Sequence, residues 1–205
     1  MKNPYLYPLY LMIHPFDGFE GIKRRQKGTV GVSAIVLALF LASQVFARLF
    51  TSFSFQMTRT EKLNVPMILL QTLVPFLLFV VANWCLCTLI DGEGKFREIW
   101  IGVSYSLMPM ILFTILTTIL SNLFSLQEGF FITFLSAVGM LWFAFILFIG
   151  VMTVQQFTFK KTVISIGLTV VGMGVIIFLI ILMYSLFQQL YIFLATIWRE
   201  LSFRM

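Results

Sequence analysis

Apolar runs separated by short clusters of charge dominate this chain. Five runs, Thr29 to Ala47, Pro66 to Ile90, Ile99 to Leu126, Gly129 to Phe159 and Thr162 to Trp198, contain no Asp, Glu, Lys, Arg or His, and Glu128 stands between the third and fourth. A helix rises ~1.5 Å per residue, so about 20 residues cross a ~30 Å hydrocarbon layer, and each run is close to that length or longer. The pattern predicts an all-α fold, a polytopic membrane helix bundle with five transmembrane helices plus short interfacial helices. Residues 1–28 read as an interfacial N-terminal segment, 29–189 as the five-span bundle and 190–205 as an amphipathic tail.

The fifth run is too long for one crossing, since a helix from Thr162 to Met205 would extend ~65 Å. Polarity returns at Ser185, Gln188 and Gln189, so the span is predicted to end near them, with a second element from Leu190 to Phe203. That element places Phe193, Ile197, Trp198 and Leu201 on an apolar face opposite Thr196, Arg199 and Glu200, making those four the candidate partner-docking residues. Pro75 and Pro109 fall inside the second and third spans, where each removes a backbone donor and is expected to kink its helix. In the first span Ala34, Ala38 and Ala42 recur every four residues, a narrow groove expected to serve helix packing.

Three charged segments share a layout in which aromatic and basic residues stand just before a run. They hold Phe16, Phe19 and Ile22 with Lys23 and Arg24; Phe96, Ile99 and Trp100 with Lys95 and Arg97; and Phe157 and Phe159 with Lys160 and Lys161. In the first two, the apolar residues recur at three- and four-residue steps, as on one face of a short helix lying at the membrane surface. In a five-span chain all three fall on the N-terminal side. Lys2, Lys23, Arg24, Arg25, Lys27, Lys95, Arg97, Lys160 and Lys161 share that side, against Arg48, Arg59, Lys62, Arg199 and Arg204 on the other. The excess of bases predicts a cytoplasmic N-terminus and an outside C-terminus in the cell membrane. Lys23, Arg24, Arg25 and Lys27 are the candidate contacts for anionic lipid.

Net charge adds little to this picture. A value of +6 would suggest nucleic acid in a soluble protein, but the chain is 60% hydrophobic and its bases sit at run ends, where lipid headgroups account for them. Proton relays and most intramembrane catalysis need ionisable or metal-binding side chains held at depth, and the runs offer none. Cys85 and Cys87 lie two apart, hence on different helix faces, and read as small buried hydrophobes rather than a disulfide or metal pair. Uncharged polar residues such as Gln71, Asn83 and the hydroxyls of the third run remain, and most are satisfied within or between helices. The single His14 precedes Pro15, ahead of the first run, too far in sequence from those hydroxyls to serve as their base. Neither an enzyme nor a cofactor or metal is expected.

Two stretches carry a family resemblance. Asp91-Gly92-Glu93-Gly94-Lys95-Phe96, followed by Ile101-Gly102-Val103-Ser104-Tyr105-Ser106-Leu107-Met108-Pro109, resembles the Yip family of five-span membrane proteins (the Ypt-interacting-protein domain). The likeness is to a glycine-bearing second cytoplasmic loop and a Tyr-Ser-hydrophobic-x-Pro start to the third span; Asp91, Gly92, Gly102, Tyr105 and Pro109 carry it. Pro15-Phe16-Asp17-Gly18-Phe19 is similar to bacterial members. Eukaryotic members bind prenylated small GTPases in vesicle traffic. The long acidic N-terminal region and Asp-Leu-Tyr-Gly-Pro motif associated with them are missing here, so the resemblance does not extend to a small GTPase as partner. It implies a bacterial-type member, some of which occur beside components of ABC transporters. The expected function is that of a non-enzymatic accessory or scaffolding subunit of a larger membrane complex such as an ABC transporter. Its partners would be membrane lipids and other integral membrane proteins, without nucleic acid. The alternative is a small transporter or lipid-moving protein, using the polar third span and proline kinks as a path for an uncharged or amphipathic substrate.

Overall fold

Residues 4–25, 28–52, 64–124 and 126–204 are described by a computed structural model. Among them the regular elements are helices: α1 (Tyr7–Ile13), α2 (Pro15–Arg25), α3 (Val30–Phe50), α4 (Val65–Leu89), α5 (Phe96–Ser106), α6 (Met108–Ser121), α7 (Gly129–Gln155) and α8 (Phe159–Arg204). Five stretches are long and apolar enough to span a membrane: α3, α4, α5 together with α6, α7, and α8. The expected five-span helical bundle is therefore present.

Local chemistry fixes the helix ends. Asn64 caps α4, its side-chain oxygen accepting from the Met67 N–H at 3.3 Å, with Pro66 in the first turn where no donor is lost. At α5 the Glu98 carboxylate accepts from the Lys95 N–H at 3.2 Å, as in a capping box. The two prolines behave differently. Leu107, two residues before Pro109, breaks the third span into α5 and α6, whereas α4 runs through Pro75 as one helix.

Helices α3 and α7 flank α6, α4 pairs with α8, and α2 and α5 both lie on α7. At the far end, Asn122 Nδ2 donates to Phe50 O at 2.8 Å and the Ser52 N–H donates to Ser121 Oγ at 3.2 Å, tying α3 to α6. The near end, which carries the N-terminal helices, gathers the start of α3, the end of α4, the start of α5, the end of α7 and the start of α8.

Three expectations are corrected. The first concerns Ala34, Ala38 and Ala42, which lie on the exposed side of α3, while Val32, Ser33, Val36, Leu37, Phe40 and Ser43 form its buried face. Small residues permit close approach without requiring it, and here the larger side chains supply the contact. Second, no break follows Gln189: α8 is a single helix of 46 residues. No Gly or Pro occurs after Gly174, and Ser and Gln are tolerated in helix interiors, so nothing stops it. Third, the N-terminal segment does not spread its apolar face on lipid. Phe19 and Ile22 of α2, and Tyr7 and Leu11 of α1, are buried in the core of the bundle itself.

Candidate functional site

Phe19 is the anchor of the near end. Its side chain is fully buried, facing Gly102 on α5 and Gly150 on α7. A methyl group at Gly150 would come within 2.8 Å of the Phe19 ring, so the missing side chain is what makes room for α2. Gly18 meets Leu11 in the same way, letting α1 fold across α2. The Tyr7 hydroxyl donates to Gly18 O at 2.7 Å, and burial pushes its pKa above the ordinary 10.0, which keeps the donor proton in place. Gly150→Leu is expected to expel Phe19 and release α2, an overpacking cost of about 1–3 kcal/mol, read as new trypsin cleavage at Arg24 and Arg25. Unchanged cleavage would show that α2 is held elsewhere.

Lys23 extends the same docking. Its ammonium lies 3.1 Å from Glu98 Oε2 and also donates to the Glu93 carbonyl, with both side chains of the ion pair only 15% exposed. It is therefore turned into the protein rather than toward lipid. Arg24, in contrast, pairs on the exposed face with Glu20 at 3.1 Å, and Arg25 is exposed; Lys27 lies outside the described residues, as do Lys2, Arg59 and Lys62.

The loop carrying Glu93 is shaped by α4 and α7. Asp91 adopts a left-handed backbone (φ 56°) just past the end of α4, and the Gly92 N–H returns to Cys87 O at 2.8 Å, closing the helix with a Schellman-type bond. Gln155, at the last turn of α7, then takes the loop in hand. Its Oε1 accepts from the Gly94 N–H at 2.9 Å, and its Nε2 donates to Asn83 Oδ1 at 3.5 Å. Asn83 Nδ2 continues to Thr169 Oγ1 at 3.2 Å on α8, where Cys87 Sγ also meets Ser165 Oγ at 3.0 Å. Gln155, Asn83, Thr169 and Ser165 are each at most 1% exposed. A methyl on Gly92 or Gly94 would fall 2.5 and 2.7 Å from Gln155 Oε1, so both glycines make room for that amide. One polar thread thus joins the 90–95 loop, α7, α4 and α8.

A family model of the Yip1 domain matches residues 9–183. The chain belongs to the Yip1 domain family. No curated protein and no solved structure matches it. Within this Yip1 domain, Asp91 and Gly92 shape the loop that Gln155 clasps, and Gly102 lies against Phe19. Tyr105, 1% exposed, faces the Tyr7 ring at 6.3 Å between centroids, and Pro109 is buried at the break between α5 and α6. The sequence singles out those five residues by resemblance and passes over Gln155, because an amide at the end of an apolar run looks like an interfacial residue. Its signal is the pair of glycines in the 91–95 loop.

The candidate docking residues lie elsewhere. Phe193, Ile197 and Trp198 are on the exposed end of α8, and Leu201 is in the last turns of the same helix, beyond the matched domain.

Proposed function

We propose that this Yip1-domain protein is a non-enzymatic accessory or scaffolding subunit that holds other integral membrane proteins, with ABC transporter subunits as the partner class. The observation that carries this reading is α8. At ~1.5 Å per residue its 46 residues reach ~69 Å, about twice the ~30 Å hydrocarbon layer. Every residue from Ile177 to Arg199 is exposed, including Phe178, Phe187, Phe193 and Trp198. Apolar surface of that extent beyond the bilayer needs a protein cover. The Yip1 domain family is not known as an enzyme family. A transport path through the interior of the bundle gains little support: the cavity there, beside Asn83 and Gln155, holds about 10 Å³, the room of a single water.

Purification of the full chain and of a chain ending at Gln189 from native membranes in mild detergent tests the reading. The shortened protein is expected to stay folded and lose its partner, and Trp198→Ala to weaken capture by ~2 kcal/mol or more. Retention of the same partner at the same yield would remove the end of α8 as the docking element. The proposal includes a cytoplasmic near end in the cell membrane. A reporter joined after Met205 should then be active outside and one joined at Lys160 inside, and the reverse pattern would invert the topology.

A further inference from the structure

A cavity of about 460 Å³ opens between α1 and α2 at the near end, lined by Tyr7, Tyr10, Asp17, Glu20, Arg24 and Arg25 over the side-chain-free floor at Gly21. Asp17, Glu20, Gly21 and Arg24 follow each other at short helical steps along the face of α2 turned away from Phe19. The wall charges sum to zero, two carboxylates against two guanidinium groups. Within it, the Arg24–Glu20 pair is solvent-exposed, at 70% and 52%, and so is easily exchanged for a ligand. Asp17 and Arg25 make no ion pair among the described residues. On the outer side of the same hairpin Leu6, Leu9 and Ile13 form an exposed apolar stripe, spaced three and four residues apart. An apolar stripe beside a charge-balanced polar cavity, at the end of the bundle that carries the N-terminal helices, matches the two halves of a lipid.

We propose that this cavity binds the headgroup of a zwitterionic aminophospholipid, phosphatidylethanolamine in chemical class. The phosphodiester lies against Arg24 and Arg25, guanidinium groups being suited to paired phosphate oxygens. The primary ammonium lies against Asp17 and Glu20, each able to accept its N–H bonds, and the acyl chains run along Leu9 and Ile13. A choline headgroup has no N–H to donate, and a glycerol headgroup offers hydroxyl donors but no cation to balance the two carboxylates. Discrimination therefore rests on the acidic residues, and general affinity on the arginines. This departs from the plain attraction of bases to anionic lipid, which would favour net negative headgroups.

Native mass spectrometry of the detergent-solubilised full chain, incubated with equimolar dioleoyl phosphatidylethanolamine, phosphatidylcholine and phosphatidylglycerol, tests it. Retention of the ethanolamine lipid about tenfold over the other two is expected, with Asp17→Asn/Glu20→Gln erasing that preference and Arg25→Gln weakening all binding. Soluble glycerophosphoethanolamine should compete poorly, because it lacks the chains that follow Leu9 and Ile13. Equal or greater retention of phosphatidylglycerol, an unchanged preference in the acidic double variant, or equally tight binding of the soluble headgroup would each overturn the proposal. A circular-dichroism melt of each variant identifies any that lose the fold, and Asp17→Asn alone then repeats the comparison.

Discussion

Gln155→Leu is expected to be the most damaging single substitution at the near end. Leucine fills similar volume but can meet neither the Gly94 N–H nor Asn83 Oδ1, both of which the amide now satisfies. A buried group deprived of its partner costs about 1–3 kcal/mol, so two together cost about 3 kcal/mol. For a chain of this size that loss lowers the thermal midpoint by about 10 °C. Gln71→Leu is the control, since Gln71 is an exposed amide on α4 and its replacement should leave the midpoint nearly unchanged. Equal midpoints for both variants in a detergent melt would show that the polar thread is not a structural element. The 90–95 loop should loosen first, because the Gly94 N–H loses its acceptor and only the longer 3.5 Å bond from the Glu93 N–H to Gln155 O still ties the loop to α7, and faster amide exchange at Gly94 would report it.

Lys23→Met is expected to rank second. The methionine keeps the apolar stem and removes the ammonium, leaving Glu98 with its carboxylate largely shielded and no ion-pair partner among the described residues. Breaking a buried ion pair from one side costs about 3–5 kcal/mol; at 15% exposure on each side a value of about 2–3 kcal/mol is expected. Arg24→Met removes the exposed Glu20 pair instead, worth about 0.5 kcal/mol. The readout is limited trypsinolysis at Arg25: cleavage should quicken in the Lys23 variant only. Restoration by Glu98→Gln in the Lys23→Met background would show that the stranded carboxylate, rather than a distorted α2, is the cause.

The spans are legible because a membrane forbids charge so strictly that its omission from five runs marks each crossing. Pro109 is legible too, as the place where the third span breaks. What cannot be read is which surface each apolar face will meet. Phe19 and Ile22 recur at a spacing that suits lipid or protein equally, and only the glycines at 102 and 150 hint that a bundle closes around Phe19. The same ambiguity makes Ala34, Ala38 and Ala42 look like a contact stripe, although α3 turns that side outward. For α8, the return of Ser185, Gln188 and Gln189 suggests an end, but polarity alone does not unwind a helix whose backbone bonds continue.

Helix α8 is gripped at one end only. Its buried positions are Thr162, Ser165 and Thr169, and Gly172 still meets Leu86 of α4; beyond it the helix continues to Arg204 as an arm whose residues from Ile177 to Arg199 are all exposed. That arm is ~48 Å long at ~1.5 Å per residue, so a rotation of ~10° about the α4 seam sweeps its tip through ~8 Å. A small adjustment where Asn83 meets Thr169 is thereby magnified at Trp198, at the other end of the helix.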